Sequence, residues 1–165
     1  MFLRDFFFGT RIAIFNSSLK LFAMHQIHAF ILEDDRFYAQ MISTHLEREG
    51  ISTRIFSDEQ ECLSALTSSP PQILILDHKL ENSTGLEILE AINSLQQGTN
   101  VIYLSAQERY NVVLKALKFG AADYVEKGDG AFRQLNTVIN KLRKHTNDFN
   151  NPLNLNKYRL DTDLN

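Results

Sequence analysis

Short apolar runs alternate with stretches of helical periodicity from Gln26 onward. Five runs have the length and composition of strands, and the central ones read as buried on both faces: Ala29–Leu32, Ile51–Phe56, Ile73–Leu76, Val101–Leu104 and Ala122–Val125. Apolar residues at helical spacing follow each run: Phe37, Met41, Ile42 and Leu46; Cys62, Ala65 and Leu66; Leu86, Leu89 and Ile92; Val113, Ala116 and Leu117; Phe132, Leu135, Val138, Ile139 and Leu142. Five β–α units in strict alternation predict an α/β fold with a parallel sheet between two helical layers.

Two local signals predict helix ends. Ser57 and Gln60 form a capping-box pattern that places the start of the second helix. Gly120 follows the fourth helical stripe and predicts its C-terminal cap.

The pattern divides the chain into an extension, residues 1–25, a domain, residues 26–147, and an Asn-rich tail or linker, residues 148–165. Charged residues interrupt the apolar extension, which is too short for a membrane helix and has no signal-peptide pattern. Two interpretations stay open: a start assigned upstream of Met24, or an extra element packed on the domain.

Length, charge and cysteine content exclude several classes of function. A length of 165 residues fits one domain, and a net charge of -3 gives no electrostatic basis for direct binding of nucleic acid. The single cysteine, Cys62, excludes an intramolecular disulfide and fits a reducing compartment; we interpret it as a core residue. The five histidines show no metal-ligand spacing.

Polar side chains stand where the strands end. Asp34 and Asp35 follow the first strand, Asp77 the third, Ser105 the fourth and Lys127 the fifth. Since the carboxyl ends of parallel strands share one edge, these residues are expected to form one pocket. Three carboxylates repel each other unless a cation lies among them, and an all-oxygen set suits Mg²⁺. Metal, hydroxyl and lysine together indicate a phosphoryl site with one carboxylate as nucleophile.

This set resembles the receiver domain of two-component response regulators, from about Gln26 to Lys144. Ser105-Ala106 and the segment GAADYVEKG at residues 120–128 extend the resemblance. It implies a flavodoxin-like (βα)5 doubly wound sheet with strand order 2-1-3-4-5. It also implies the following roles: phosphate acceptor, Asp77; Mg²⁺ ligands, Asp34, Asp35, Asp77 and the backbone carbonyl of Lys79; phosphoryl-oxygen ligands, Ser105 and Lys127; switch residues, Ser105 and Tyr124; opening glycine of the third helix, Gly85.

The resemblance further implies a cytoplasmic signalling domain that catalyses only its own phosphorylation and dephosphorylation. Its phosphodonor would be a sensor histidine kinase or a histidine phosphotransfer protein. An effector or a second copy would dock on the face of helix 4, strand 5 and helix 5, which carries Tyr110, Val112, Val113, Lys115, Lys118, Phe132 and Arg133. Neither a membrane nor a nucleic acid is an expected direct partner.

The sequence departs from the family pattern at Glu81 and Gly128, where proline is common, and His78 and Lys79 are unusual neighbours of the acceptor. A phosphatase of the haloacid dehalogenase type would need an aspartate at position 79. A receiver-fold module that docks without phosphorylation is the other alternative. No effector pattern follows the domain, so it is expected to act alone or within a longer regulator.

Overall fold

Five strands and five helices alternate in the part of the chain that the structure describes. The computed structural model describes residues 27–95, 98–106 and 110–150, without the side chains of 110 and 145–150. The elements are β1 His28–Leu32, α1 Arg36–Arg48, β2 Ser52–Phe56, α2 Glu59–Ser68, β3 Ile73–Asp77, α3 Gly85–Leu95, β4 Asn100–Ser105, α4 Tyr110–Lys118, β5 Asp123–Glu126 and α5 Ala131–Asn150. Each of the five predicted strands is therefore confirmed.

The strands form one parallel sheet in the order β2-β1-β3-β4-β5, which confirms the predicted flavodoxin-like fold. The central strand β3 is buried along its whole length, and β4 is buried after its first residue. The edge strands β2 and β5 are only partly buried, which explains their weaker apolar patterns. The described residues form two compact units; the first ends at Leu74 and the second begins at Ile75, inside β3.

In the first unit, aromatic and aliphatic side chains of β1 and β2 form the core with α1 and α2. The Phe30 and Phe56 rings lie 4.9 Å apart, and the Arg54 guanidinium lies 4.5 Å from the Phe56 ring centre. Cys62 of α2 is fully buried, and burial raises the pKa of its thiol to about 12. The interpretation of Cys62 as a core residue is confirmed.

In the second unit, β5 pairs with β4 and packs against α5. The buried side chains are Ile102, Leu104, Val125, Leu135, Val138 and Ile139. Gly120 ends α4 with a φ of 91° and donates its N–H to the Leu117 carbonyl, as the predicted cap requires.

Three details differ from the predicted pattern. The N-cap of α2 is Asp58, whose carboxylate accepts the Glu61 N–H at 2.7 Å, so the Ser57–Gln60 capping box is wrong by one residue. Aspartate caps as well as serine, and the spacing from Asp58 to Glu61 gives the same signal. Phe37 and Met41 are 75% and 39% exposed on α1, where small Ala39 and Ser43 take the buried positions. Leu117, which we predicted on the packed face of α4, is 44% exposed.

The extension, residues 1–25, lies outside the described residues, as do residues 151–165 of the predicted tail. The backbone of α5 continues to Asn150, so its last three residues fall within the segment that we interpreted as a tail or linker. Among the described residues, no helix combines the length and the apolar character needed to cross a membrane.

Candidate phosphoryl-transfer site

Asp77 ends the buried strand β3 and forms an ion pair. Its carboxylate Oδ1 lies 2.8 Å from Lys127 Nζ, which comes from the segment after β5. The Asp77 and Lys127 side chains are only 5% and 18% exposed. At this burial the ammonium compensates the carboxylate in surroundings of low dielectric, where an unpaired charge would be costly. The predicted proximity of these two strand ends is thus present in the structure.

Ser105 ends β4 beside this pair. Its residue surface is 1% exposed, and its carbonyl accepts the Lys127 N–H at 2.8 Å. This backbone hydrogen bond continues the parallel β4–β5 pairing, in which Ser105 lies opposite Glu126. The second unit therefore brings a carboxylate, an ammonium and a hydroxyl to the carboxyl ends of three successive strands.

A short loop joins Asp77 to α3 and contains Lys79, the predicted carbonyl ligand. Lys79 and Thr84 form an isolated antiparallel bridge, and the Leu80 N–H donates to the Ser83 carbonyl at 3.2 Å. At the end of the loop, the Gly85 N–H donates to the His78 carbonyl at 2.8 Å. A Cβ on Gly85 would overlap the Asp77 carbonyl oxygen, so glycine is required for this close approach. The resemblance matched Gly85 for its position, and the structure supplies the steric reason.

The predicted acidic pair follows β1 in the first unit. Asp35 is the N-cap of α1, where its Oδ1 accepts the N–H groups of Phe37 and Tyr38 at 2.9 and 3.1 Å. Asp34 is exposed at the start of this turn and offers a carboxylate oxygen as a metal ligand. The capping role of Asp35 was not foreseen, although an aspartate before a helical stripe is a recognisable cap signal.

Glu33 is an acidic residue that the sequence interpretation missed. It is 2% exposed, accepts the Asp35 N–H through Oε1 at 3.4 Å, and offers a carboxylate oxygen as a potential metal ligand. The signal that could have identified it is the run of three acids at the end of an apolar strand. A buried carboxylate at such a position needs hydrogen bonds or a cation.

Tyr124, the predicted switch aromatic, lies on β5 and is partly buried. Its register partner on β4 is Tyr103, which is fully buried. Burial, together with the charge of Asp77 and the nearby Tyr124, raises the pKa of the Tyr103 phenol. Tyr103 was not singled out in the sequence, where it reads as one more apolar strand residue.

The predicted docking face is described except for the Tyr110 side chain. Lys115, Lys118 and Arg133 are exposed, while Val112, Val113 and Phe132 are partly buried. Leu114 and Leu117 add two large side chains that are 46% and 44% exposed. The face thus mixes apolar and basic groups, as the sequence suggested.

Known proteins share this architecture. The receiver domain of the Francisella response regulator 1452 superposes with a TM-score of 0.68 and 27% identity, over 73% of this chain and 99% of that one. A CheY-like receiver domain from Methanospirillum hungatei gives a TM-score of 0.67 over 74% and 98% of the two chains; at 23% identity this likeness concerns the fold alone.

Curated relatives are longer. The acid tolerance regulatory protein ActR of Rhizobium meliloti is 25% identical over 129 residues, which cover 78% of this chain and 66% of the relative. The luminescence regulatory protein LuxO of Vibrio campbellii is 27% identical over 129 residues, or 76% of this chain and 28% of the relative. This chain thus spans less than two thirds of the length of either relative.

A model of the response regulator receiver domain matches residues 29–140, from β1 into α5. The matched residues include every strand end considered above. The chain therefore belongs to the family of response regulator receiver domains of two-component systems.

Proposed function

We propose that Asp77 is the phosphate acceptor of this receiver domain. The observation that carries the proposal is the buried ion pair between Asp77 and Lys127, 2.8 Å long, at the carboxyl end of the central strand. In the reaction, a carboxylate oxygen of Asp77 attacks the phosphorus of a phosphohistidine. The P–N bond breaks, its electron pair stays on the imidazole nitrogen, and an acyl phosphate forms on the carboxylate.

Lys127 and Ser105 assist at the phosphoryl group. The ammonium that pairs with the carboxylate before transfer neutralises phosphoryl oxygens afterwards, and the Ser105 hydroxyl donates a hydrogen bond to another oxygen. Both groups are fixed by strand ends and not by long loops, so they need little reorganisation during transfer. The domain thereby catalyses its own phosphorylation and dephosphorylation, and acts on no separate substrate.

The donor set fits Mg²⁺, because it consists of carboxylates and a backbone carbonyl without cysteine or histidine. We assign Asp34, Asp35, Asp77 and the Lys79 carbonyl to this ion, with Glu33 as a further carboxylate. The support is the sheet order, in which β1 and β3 are neighbours, so that the segments after them leave the same edge. The ion supplies positive charge that stabilises the transferring phosphoryl group.

The phosphodonor is a sensor histidine kinase or a histidine phosphotransfer protein, in keeping with the family. Phosphorylation adds about two negative charges, which Ser105 and Lys127 must meet. We propose that Ser105 shifts toward the phosphoryl group and Tyr124 rotates into the vacated space, which alters the face of α4, β5 and α5. A cytoplasmic location belongs to the same proposal and rests on family membership.

Acyl-phosphate labelling tests the assignment. The full chain is incubated with acetyl phosphate and Mg²⁺, and the intact mass is measured before and after hydroxylamine. We expect one added phosphoryl group that hydroxylamine removes, and no addition to Asp77→Asn. The control Asp123→Asn alters a partly exposed carboxylate that pairs with Lys141, and it should label like the wild type.

Unlabelled wild-type protein would contradict the assignment and favour a module that docks without phosphorylation. Label that persists in Asp77→Asn would move the acceptor to another residue.

A further inference from the structure

A buried hydrogen bond joins Tyr103 to the residue after the proposed acceptor. The phenol oxygen of Tyr103 lies 2.6 Å from Nδ1 of His78, and Tyr103 is completely buried. Burying a phenol without a partner is costly, so this bond determines where the His78 ring can lie. The two residues are 25 positions apart, on β4 and just after β3.

Tyr103 also contacts the far end of the same loop. A Cβ added to Gly85 would lie 3.0 Å from Cε2 of the Tyr103 ring. The ring therefore packs directly on this glycine. Gly85 in turn donates its N–H to the His78 carbonyl, while the His78 N–H donates to Leu104 of β4. One side chain therefore contacts both the first and the last residue of the turn from Asp77 to α3.

The turn has restraints of its own. An isolated bridge joins Lys79 and Thr84, the Leu80 N–H donates to the Ser83 carbonyl at 3.2 Å, and the side chain of Lys79 is exposed. The peptide that joins His78 to Lys79 leads directly to the Lys79 carbonyl. The His78 carbonyl belongs to this peptide and accepts the Gly85 N–H, so the contacts of Tyr103 with both His78 and Gly85 restrain the orientation of the peptide.

We infer that Tyr103 is a positioning residue of the phosphoryl-transfer site, which acts through His78 to aim the Lys79 carbonyl and the Asp77 carboxylate. This inference rests on the proposed function. The hydrogen bond forms with either tautomer of His78: the phenol O–H donates to an unprotonated Nδ1, or the phenol oxygen accepts the Nδ1–H. Neither residue contacts the phosphoryl group in this role; the pair sets the geometry of groups that do.

The substitution Tyr103→Phe tests the inference, because it removes the hydroxyl and keeps the ring on Gly85. We expect the Kd for Mg²⁺, measured by calorimetry on the full chain, to rise about three- to tenfold, as the loss of one hydrogen bond allows. The labelling rate with acetyl phosphate should fall by a similar factor at subsaturating Mg²⁺. Amide exchange across residues 79–85 should accelerate.

A double-mutant cycle adds His78→Leu. If the two side chains act as one unit, each single variant weakens Mg²⁺ binding and the double variant is no worse than either. The matched control is Ser43→Ala, which removes a buried hydroxyl that is 2.7 Å from Thr53 Oγ1 in the first unit. It should lower the unfolding midpoint and leave Mg²⁺ binding unchanged.

The results of these experiments distinguish a failure of this inference from a failure of the proposed function. A wild type that cannot be labelled overturns the proposed function and this inference together. A labelled wild type whose Tyr103→Phe variant loses only stability, with Mg²⁺ affinity, labelling rate and loop exchange unchanged, overturns the inference alone. Additive effects of the two substitutions would also overturn it.

Discussion

At the scale of single residues, charge pairing in a buried site determines how much stability a substitution removes. The Asp77 carboxylate is 5% exposed and pairs with one ammonium, that of Lys127. Removing the ammonium leaves a buried anion without a compensating charge. The resulting loss of folding free energy is larger than the net stabilisation that the intact pair provides. The same substitution at an exposed pair costs little, because water and salt screen it.

We therefore expect Lys127→Met to lower the free energy of unfolding by about 2–4 kcal/mol. Urea denaturation without Mg²⁺ measures this value. Lys141→Met, which removes an exposed partner 3.2 Å from Asp123, should cost less than about 1 kcal/mol. Equal losses in the two variants would mean that the Asp77–Lys127 pair is effectively solvated.

Steric contact at Gly85 gives a second residue-scale prediction. Alanine favours a helix over glycine by about 1 kcal/mol, but its Cβ would overlap the Asp77 carbonyl oxygen. We expect the overlap to win and Gly85→Ala to lose about 1–3 kcal/mol of stability. Gly130→Ala, whose Cβ would meet only Gln134 Nε2 at 3.9 Å, is the control in the same denaturation series. A stabilised Gly85→Ala would contradict the close approach.

At the scale of elements, Asp35 combines a structural task with the proposed chemical one. It caps α1 through Oδ1, as Asp58 caps α2. Asparagine caps a helix as well as aspartate does but carries no charge. Alanine provides neither the cap nor the charge. A pair of substitutions at Asp35 can therefore separate helix capping from metal binding.

Asp35→Asn should keep its stability within about 0.5 kcal/mol, while Asp35→Ala should lose about 1 kcal/mol. Both should weaken Mg²⁺ binding about tenfold or more, as the loss of a charged ligand implies. Asp58→Ala is expected to lose the same stability with its metal affinity intact. If calorimetry showed an unchanged Mg²⁺ affinity for Asp35→Asn, Asp35 would act as a helix cap and not as a metal ligand.

Element-level features also show what the sequence can predict. The strand ends that carry Asp77, Ser105 and Lys127 were predictable because parallel strands end at one edge, whatever the details of packing. The bond from Tyr103 to His78 was not, since it depends on which rotamers two distant residues adopt. The exposure of Phe37 and Met41 was missed for a related reason: periodicity shows an apolar stripe, but small Ala39 and Ser43 fill the contact with the sheet.

At the scale of the whole molecule, signalling requires that phosphorylation change an association. The exposed Leu114 and Leu117 on α4, with Lys115 and Lys118, form the most evident candidate surface in the second unit. Exposed leucines beside basic groups suit an apolar partner with an acidic rim. In the proposed switch, Tyr124 reshapes this surface when the acceptor is occupied.

We expect beryllofluoride, an analogue of the acyl phosphate, to increase self-association or effector binding of the wild type. Leu117→Asp should weaken that gain about tenfold, and Tyr124→Ala should abolish the gain while Asp77 is still labelled. Ile55→Asp alters an apolar residue of the first unit with comparable exposure, 37%, and serves as the control in sedimentation velocity. Association that ignores beryllofluoride, together with efficient transfer to a histidine phosphotransfer protein, would indicate a relay and not docking.

The only cysteine of the chain gives the protein a practical property. Cys62 is buried in α2, and its thiol, with a pKa of about 12, remains protonated and shielded at neutral pH. Maleimides should therefore react with it only when α2 opens, and the reaction rate would report that opening. A cysteine introduced by Lys118→Cys would be the one reactive thiol in native protein, so a fluorophore could report on α4 during phosphorylation without any change to the natural core.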